Sequence, residues 1–257
     1  MKWFSKLSKL LTKDSTIDDH KKLKAIIREA VEEFCKENNL TLEEFSEKTE
    51  TQDRLVPITT FKVTVKFIGK VLKKSISLSI KIKPDLISKK PVISVVREGI
   101  AEVNIRTNQR ASKLKKEIKR VIFYEIESDL DRFHRNDEFL DLLNKIKSIA
   151  GSDVSISYNS SYISLVFGND KITIWLTYDS KQKELKIERI RVNLSTEIKT
   201  VLFVDTLVNH YDYKEIIEDA DIEEYKVDLY LLQKSKNEQL EILSKVIELV
   251  KMYNLFS

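Results

Sequence analysis

At 257 residues, 42% hydrophobic and 33% charged, with a formal net charge of +4, the chain is globular in composition and long enough to bury a core without cross-links. A single cysteine, Cys35, excludes an intramolecular disulfide and a cysteine-rich zinc cluster, and four isolated glycines (Gly69, Gly99, Gly151, Gly168) exclude a P-loop or a GxGxxG site, so no small-molecule cofactor is expected. No apolar run approaches the roughly 18 residues of a bilayer span, and Lys6 and Lys9 interrupt any secretory signal; the expected place is the reducing cytoplasm, or for a viral protein the interior of its host cell.

The first element is an amphipathic segment, residues 1–14. Taken as a helix, Trp3, Phe4, Leu7, Leu10 and Leu11 cover about 120° of its circumference at roughly 100° per residue. Lys2, Lys6, Lys9 and Lys13 occupy another arc. Aromatic and leucine side chains opposite lysines suit contact with a membrane surface or with a partner protein.

Residues 15–130 form the first expected unit. A helix carries Leu23, Ile26, Ile27, Ala30 and Phe34 on one face, and a polar connector follows over about 38–56. Two alternating strands come next, Phe61-Val63-Val65-Phe67 and Ile76-Leu78-Ile80-Ile82, with Gly69-Lys70 between them as a hairpin turn. Shorter strands near 92–97 and 101–106 lead into a helix of about 109–127.

Residues 131–257 repeat the pattern without repeating the residues. A helix near 137–149 stops at Gly151. Strands follow near 153–158, 161–167, 171–178 and 184–192, and a helix of about 196–210 closes the unit. An acidic helical turn (214–219), a strand (225–231) and a long C-terminal helix complete the chain. The expected class is α+β: two similar units, each helix, antiparallel four-stranded meander, helix, from an internal duplication, plus a C-terminal strand and long helix.

Charge divides the chain unevenly. Residues 1–120 hold 28 basic and 16 acidic side chains, a net +12, while 121–257 hold 17 and 25, a net −8. Residues 61–120 alone are net +13 and 211–230 are net −6. Lys62, Lys66, Lys81 and Lys83 stand on the polar side of the alternating strands. Arg106, Arg110, Lys113, Lys115, Lys116, Lys119 and Arg120 continue as a basic surface along the following helix. Such a stripe is the electrostatic footprint of a nucleic-acid backbone or an acidic partner, and equally of a solvated lysine-rich exterior. The basic half can also meet the acidic half of another copy, a head-to-tail contact that makes rings or filaments. Abundant Lys, Glu and Ile with little Gly, Cys and Met is the bias of thermophile and archaeal-virus proteins, and AT-rich coding produces it as well.

Catalytic patterns are scarce. His20, His134 and His210 are far apart and form no metal-binding spacing. Glu127, Asp129, Asp131, His134, Asp137 and Glu138 could ligate a divalent metal, or simply cap the next helix from a connector. Pro84-Asp85 with Arg97-Glu98-Gly99 resembles a restriction-type nuclease core, but Ile100 stands where that core needs a lysine. The sequence therefore reads as a non-catalytic binding or assembly protein, with no metal assigned. The alternatives are a metal-dependent nuclease using the 127–138 acids and a peripheral membrane protein anchored by residues 1–13.

Overall fold

The computed structural model describes residues 15–52, 56–84, 91–97, 102–107 and 109–255. The amphipathic segment, Asp85 and Glu98-Gly99-Ile100 lie outside the described residues. The chain divides into two compact units, Met1–Phe133 and His134–Ser257, each with its own apolar core. The fold is α+β, with two all-antiparallel sheets.

Helix α1 (Ser15–Glu37) ends where Asn38 returns its backbone N–H to Phe34 and Asn39 takes φ 54°. Asn tolerates that left-handed conformation better than most residues, so it stops the helix and turns the chain. Strands β1 (Leu40–Gln52), β2 (Val56–Ile68), β3 (Lys73–Pro84), β4 (Pro91–Val96) and β5 (Val103–Arg106) then run as a meander, paired in chain order. Register sets the faces: Phe61 lies opposite Ile80, Val63 opposite Leu78 and Val65 opposite Ile76, all buried. They pack with Leu23, Ile27 and Phe34 of α1 and with Leu114, Ile118 and Ile122 of helix α2 (Ala111–Ala150). Phe34 and Phe61 are almost wholly buried, and each such burial contributes about 2–3 kcal/mol.

Two expectations need correction here. The polar stretch expected as a connector over 38–56 is β1, which makes the first sheet five-stranded. A bulge between Leu42 and Glu44 shifts the phase, so the inward set is Leu40, Leu42 and Phe45, a pattern that no simple alternation displays. Pairing with β2 along almost its whole length, rather than apolar content, makes this edge a strand. The connector expected between helices of 109–127 and 137–149 is likewise absent: α2 is one helix of 40 residues. Its polar middle contains no Gly or Pro, and the inward carboxylate of Asp129 is matched. Asp129 sits against Arg97, which also donates to the Glu125 carbonyl oxygen at 2.9 Å, while Arg132 donates to Asp129 at 2.6 Å.

In the second unit, α2 ends at Gly151, whose φ of 77° suits a residue without Cβ and whose N–H returns to the Lys147 carbonyl oxygen. Strands β6 (Ser155–Tyr158), β7 (Tyr162–Phe167), β8 (Asp170–Asp179) and β9 (Glu184–Asn193) form the expected meander. Gly168, at φ 59°, opens the two-residue turn between β7 and β8. After helices α3 (Glu197–Asn209) and α4 (Lys214–Glu218), strands β10 (Asp221–Glu223) and β11 (Lys226–Tyr230) join the same sheet at its β9 edge, giving the order β10-β11-β9-β8-β7-β6. Helix α5 (Lys236–Leu255) presses Leu243, Val246, Ile247 and Val250 into the core with Phe203 and Leu207 of α3. Among the described residues no helix is long and apolar enough to cross a membrane.

Candidate functional site

The helices of the first unit cover one face of its sheet, and the lysines of the strands lie on the other. Lys62, Lys66, Lys81 and Lys83 share that open face with Thr64, Ser75 and Ser77. They are not a uniformly basic field. Lys66 donates to Glu43 at 2.6 Å, Lys83 to Glu102 at 2.8 Å, and Lys62 lies 3.5 Å from Glu44. Bonds from Lys66 and Ser75 hold the Glu43 carboxyl below its usual range, and a bond from Lys83 does the same for Glu102. Strand β1, read from sequence as a connector, carries Glu43 and Glu44 to these lysines.

The basic residues after β5 lie elsewhere. Lys115 and Lys119 turn toward α1, where Glu33 accepts from both, at 2.5 and 3.1 Å, and Glu37 accepts from Lys119 at 2.6 Å. These are half-exposed pairs that lock two helices together, and they take Lys119 out of the set available to a partner. Arg106, Arg110, Lys113, Lys116 and Arg120 are exposed. Among the described residues the first four have no ion-pair partner, and Arg120 has only Glu117 at 3.7 Å. Arg106, Arg110 and Lys113 line one open cavity of about 640 Å³ with Asn104, Gln109 and Glu117. Lys116 and Arg120 line a second groove of about 590 Å³ between α1 and α2, floored by Phe34 and flanked by Phe123. The ten candidate basic residues are thus not one continuous surface. Four are on the open sheet face, Lys119 is engaged with α1, and five line the two grooves over the first three turns of α2.

That start is electrostatically unusual. Helix N-termini carry a partial positive charge and favour acidic side chains. The first turn of α2 has none, and Arg110 stands at its cap, with Lys113 and Lys116 following. Arg106, Arg110 and Lys113 around a positive helix pole outnumber the one carboxylate beside them, Glu117, and repel one another unless a further anion lies among them. Beyond Arg120, Tyr124 is 76% exposed, an aromatic beside the basic patch that periodicity alone left unplaced.

Glu127, Asp129, Asp131, His134, Asp137 and Glu138 are strung along the middle of α2 rather than gathered in a loop. Among the described residues no three His, Cys, Asp or Glu side chains are grouped to hold a metal ion. Glu138 is ion-paired with Lys236. Cys35 is a buried core residue, and burial pushes its thiol pKa up to about 11. At pH 8 only about one thiol in a thousand is then ionised. Alkylation of the native protein by iodoacetamide is therefore expected to be at least a hundredfold slower than in urea; equal rates would contradict the buried placement.

Two features of the second unit lie beyond the sequence reading. On the open face of its sheet, the guanidinium of Arg189 lies 4.0 Å and that of Arg191 5.1 Å from the centre of the Trp175 ring. Arg191 grips the buried Asp228 through two bonds of 2.7 and 2.8 Å. Register brings these residues together from β8, β9 and β11, positions up to 53 apart in the chain. The second feature is α3, apolar on its outer side as well as its inner one, with Ile198 72%, Val201 62% and Leu202 47% exposed. The signal was present in the run Glu197–Asn209, which has more apolar residues than one buried face requires. Compared with protein-family models, with curated proteins and with solved structures, the chain gives no match.

Proposed function

We propose that this is a non-catalytic binding protein that holds a polyanion, a nucleic-acid backbone, at the start of α2. The observation that carries this reading is the gathering of Arg106, Arg110 and Lys113 at a helix N-terminus whose first turn lacks acidic side chains, with Lys116 and Arg120 exposed along the following turns. The helix pole and the guanidinium groups favour phosphate oxygens, and none of these contacts reads a base edge. Binding is therefore indifferent to sequence. The open sheet face contributes little, because Lys66 and Lys83 already have carboxylate partners.

Fluorescence anisotropy with a labelled duplex tests this. Three to five phosphate contacts give a slope of log K against log salt of about −3 to −4.5. Reversing Lys113 and Lys116 to Glu is expected to make the slope shallower by about 2 and to weaken all sequences alike. Reversing Lys62 and Lys81, on the open sheet face, is expected to leave binding nearly unchanged. A salt-insensitive isotherm, or equal losses from the two double reversals, refutes the assignment. Binding to a polyglutamate peptide but to no duplex or single strand would move the partner class to acidic protein.

A further inference from the structure

We propose that the groove on the outer side of α3 receives the basic amphipathic segment Met1–Lys13 of a second copy of this chain. The groove, about 370 Å³, runs between Val201, Val204 and Val208 of α3 and Ile222 of the edge strand β10. Ile198, Val201, Leu202 and Ile222 are all close to half exposed or more, an apolar patch of the kind that marks an interaction site. Beside it stand exposed carboxylates, Glu197 and Asp205 on α3 and Glu224 just after β10, whereas Asp221 and Glu223 alternate with Ile222 and turn to the other face of the sheet, where they meet Tyr230 and Lys226. Of these, Glu224 belongs to the stretch 211–230, whose net charge is −6.

That rim selects the occupant. Pairing α3 with α3 of another copy across a two-fold axis would set the same carboxylates against each other. An anionic membrane surface is disfavoured for the same reason. A cationic amphipathic helix fits both the apolar floor and the acidic rim. Taken as a helix, the segment Met1–Lys13 has that pattern: Phe4, Leu7 and Leu11 have the i, i+3, i+7 spacing of groove anchors, Trp3 and Leu10 flank them, and Lys2, Lys6, Lys9 and Lys13 supply the opposite charge. Thirteen residues of helix are about 20 Å long, the length of the 13-residue α3. Segment and groove are different surfaces, so the contact is heterologous: each copy has one of each and assembly propagates into rings or filaments.

The test uses the full chain in sedimentation velocity at low salt, with two variants whose folding is checked by circular dichroism. Val201→Glu blocks the groove at an exposed position, and Leu7→Glu spoils the segment. Wild type is expected to form species larger than a dimer. Each variant alone is expected to associate at least tenfold more weakly. An equimolar mixture of the two is expected to give a discrete dimer, because one copy keeps an intact segment and the other an intact groove. A monomeric wild type at every concentration overturns the proposal. So does Leu7→Glu leaving assembly intact, which would assign the groove to α3–α3 pairing. A mixture that stays monomeric overturns it too, as does a monomer that floats with phosphatidylserine vesicles unless Leu7 is changed.

Discussion

Replacing Asp170 by Ala is expected to destabilise the protein by about 3–5 kcal/mol, because it removes a buried carboxylate from a partly buried cation and two further donors at once. Asp170 is fully buried at the start of β8. It accepts from the Ser195 backbone N–H at 2.6 Å, from Lys199 Nζ at 2.9 Å and from Asn254 Nδ2 at 2.7 Å. One carboxylate thus ties β8 to the entry of α3 and to the end of α5. Burial alone would raise its pKa, but the bonds from Lys199, Asn254 and Ser195 outweigh burial and hold it below the ordinary aspartate value. The folded pKa is therefore below the unfolded one of about 3.9. The contribution is complete above that value and is lost as pH falls through the folded pKa. Urea denaturation at pH 7 measures the loss. The gap between wild type and Asp170→Asn should narrow as pH falls below about 3.9; a gap that does not narrow at all would contradict the role of the charge.

The second large effect is expected at Phe61. Its ring is fully buried between the sheet and the helices and stacks on Phe45 with centroids 5.4 Å apart. Phe61→Ala removes that area and leaves a cavity among close-packed neighbours, with an expected cost of about 3–5 kcal/mol. Ile68, on the same strand and 50% exposed, is the internal control: Ile68→Ala should fall within about 0.5 kcal/mol of wild type. Comparable losses at both positions would mean that the two faces of β2 are misassigned. Because Lys62, Lys66 and Phe61 alternate along this strand, the same measurement bears on which side the sheet lysines occupy.

The two proposed contacts differ in chemistry and in test. The start of α2 is charged and wet, so its occupancy falls steeply with salt and responds to charge reversal. The α3 groove is apolar with a charged rim, so salt weakens its filling only in part. A Lys113/Lys116 double reversal that abolishes duplex binding while assembly persists separates them. Either proposal survives failure of the other.

Periodicity by itself determined most of the elements. The stripes of α1 and the alternation of β2 and β3 were readable because one buried face repeats every 3.6 or 2 residues. The turns at Gly151 and Gly168 were readable because positive φ favours glycine. Composition likewise determined that no glycine-rich phosphate loop and no disulfide is present. What only the tertiary structure decided are features whose partners are remote in sequence. β1 is a strand because β2 pairs with it, and its bulge hides the alternation. The middle of α2 stays helical because Arg97, from the end of β4, matches Asp129. Net charge gave one basic half, whereas packing separated its lysines into a face partly neutralised by β1 and Glu102, a pair locked to α1 and an exposed set along the first turns of α2. Local sequence encodes which residues prefer to be buried. Which carboxylate reaches which lysine is set by register and by side-chain length across neighbouring elements, and that information exists only once the chain has folded.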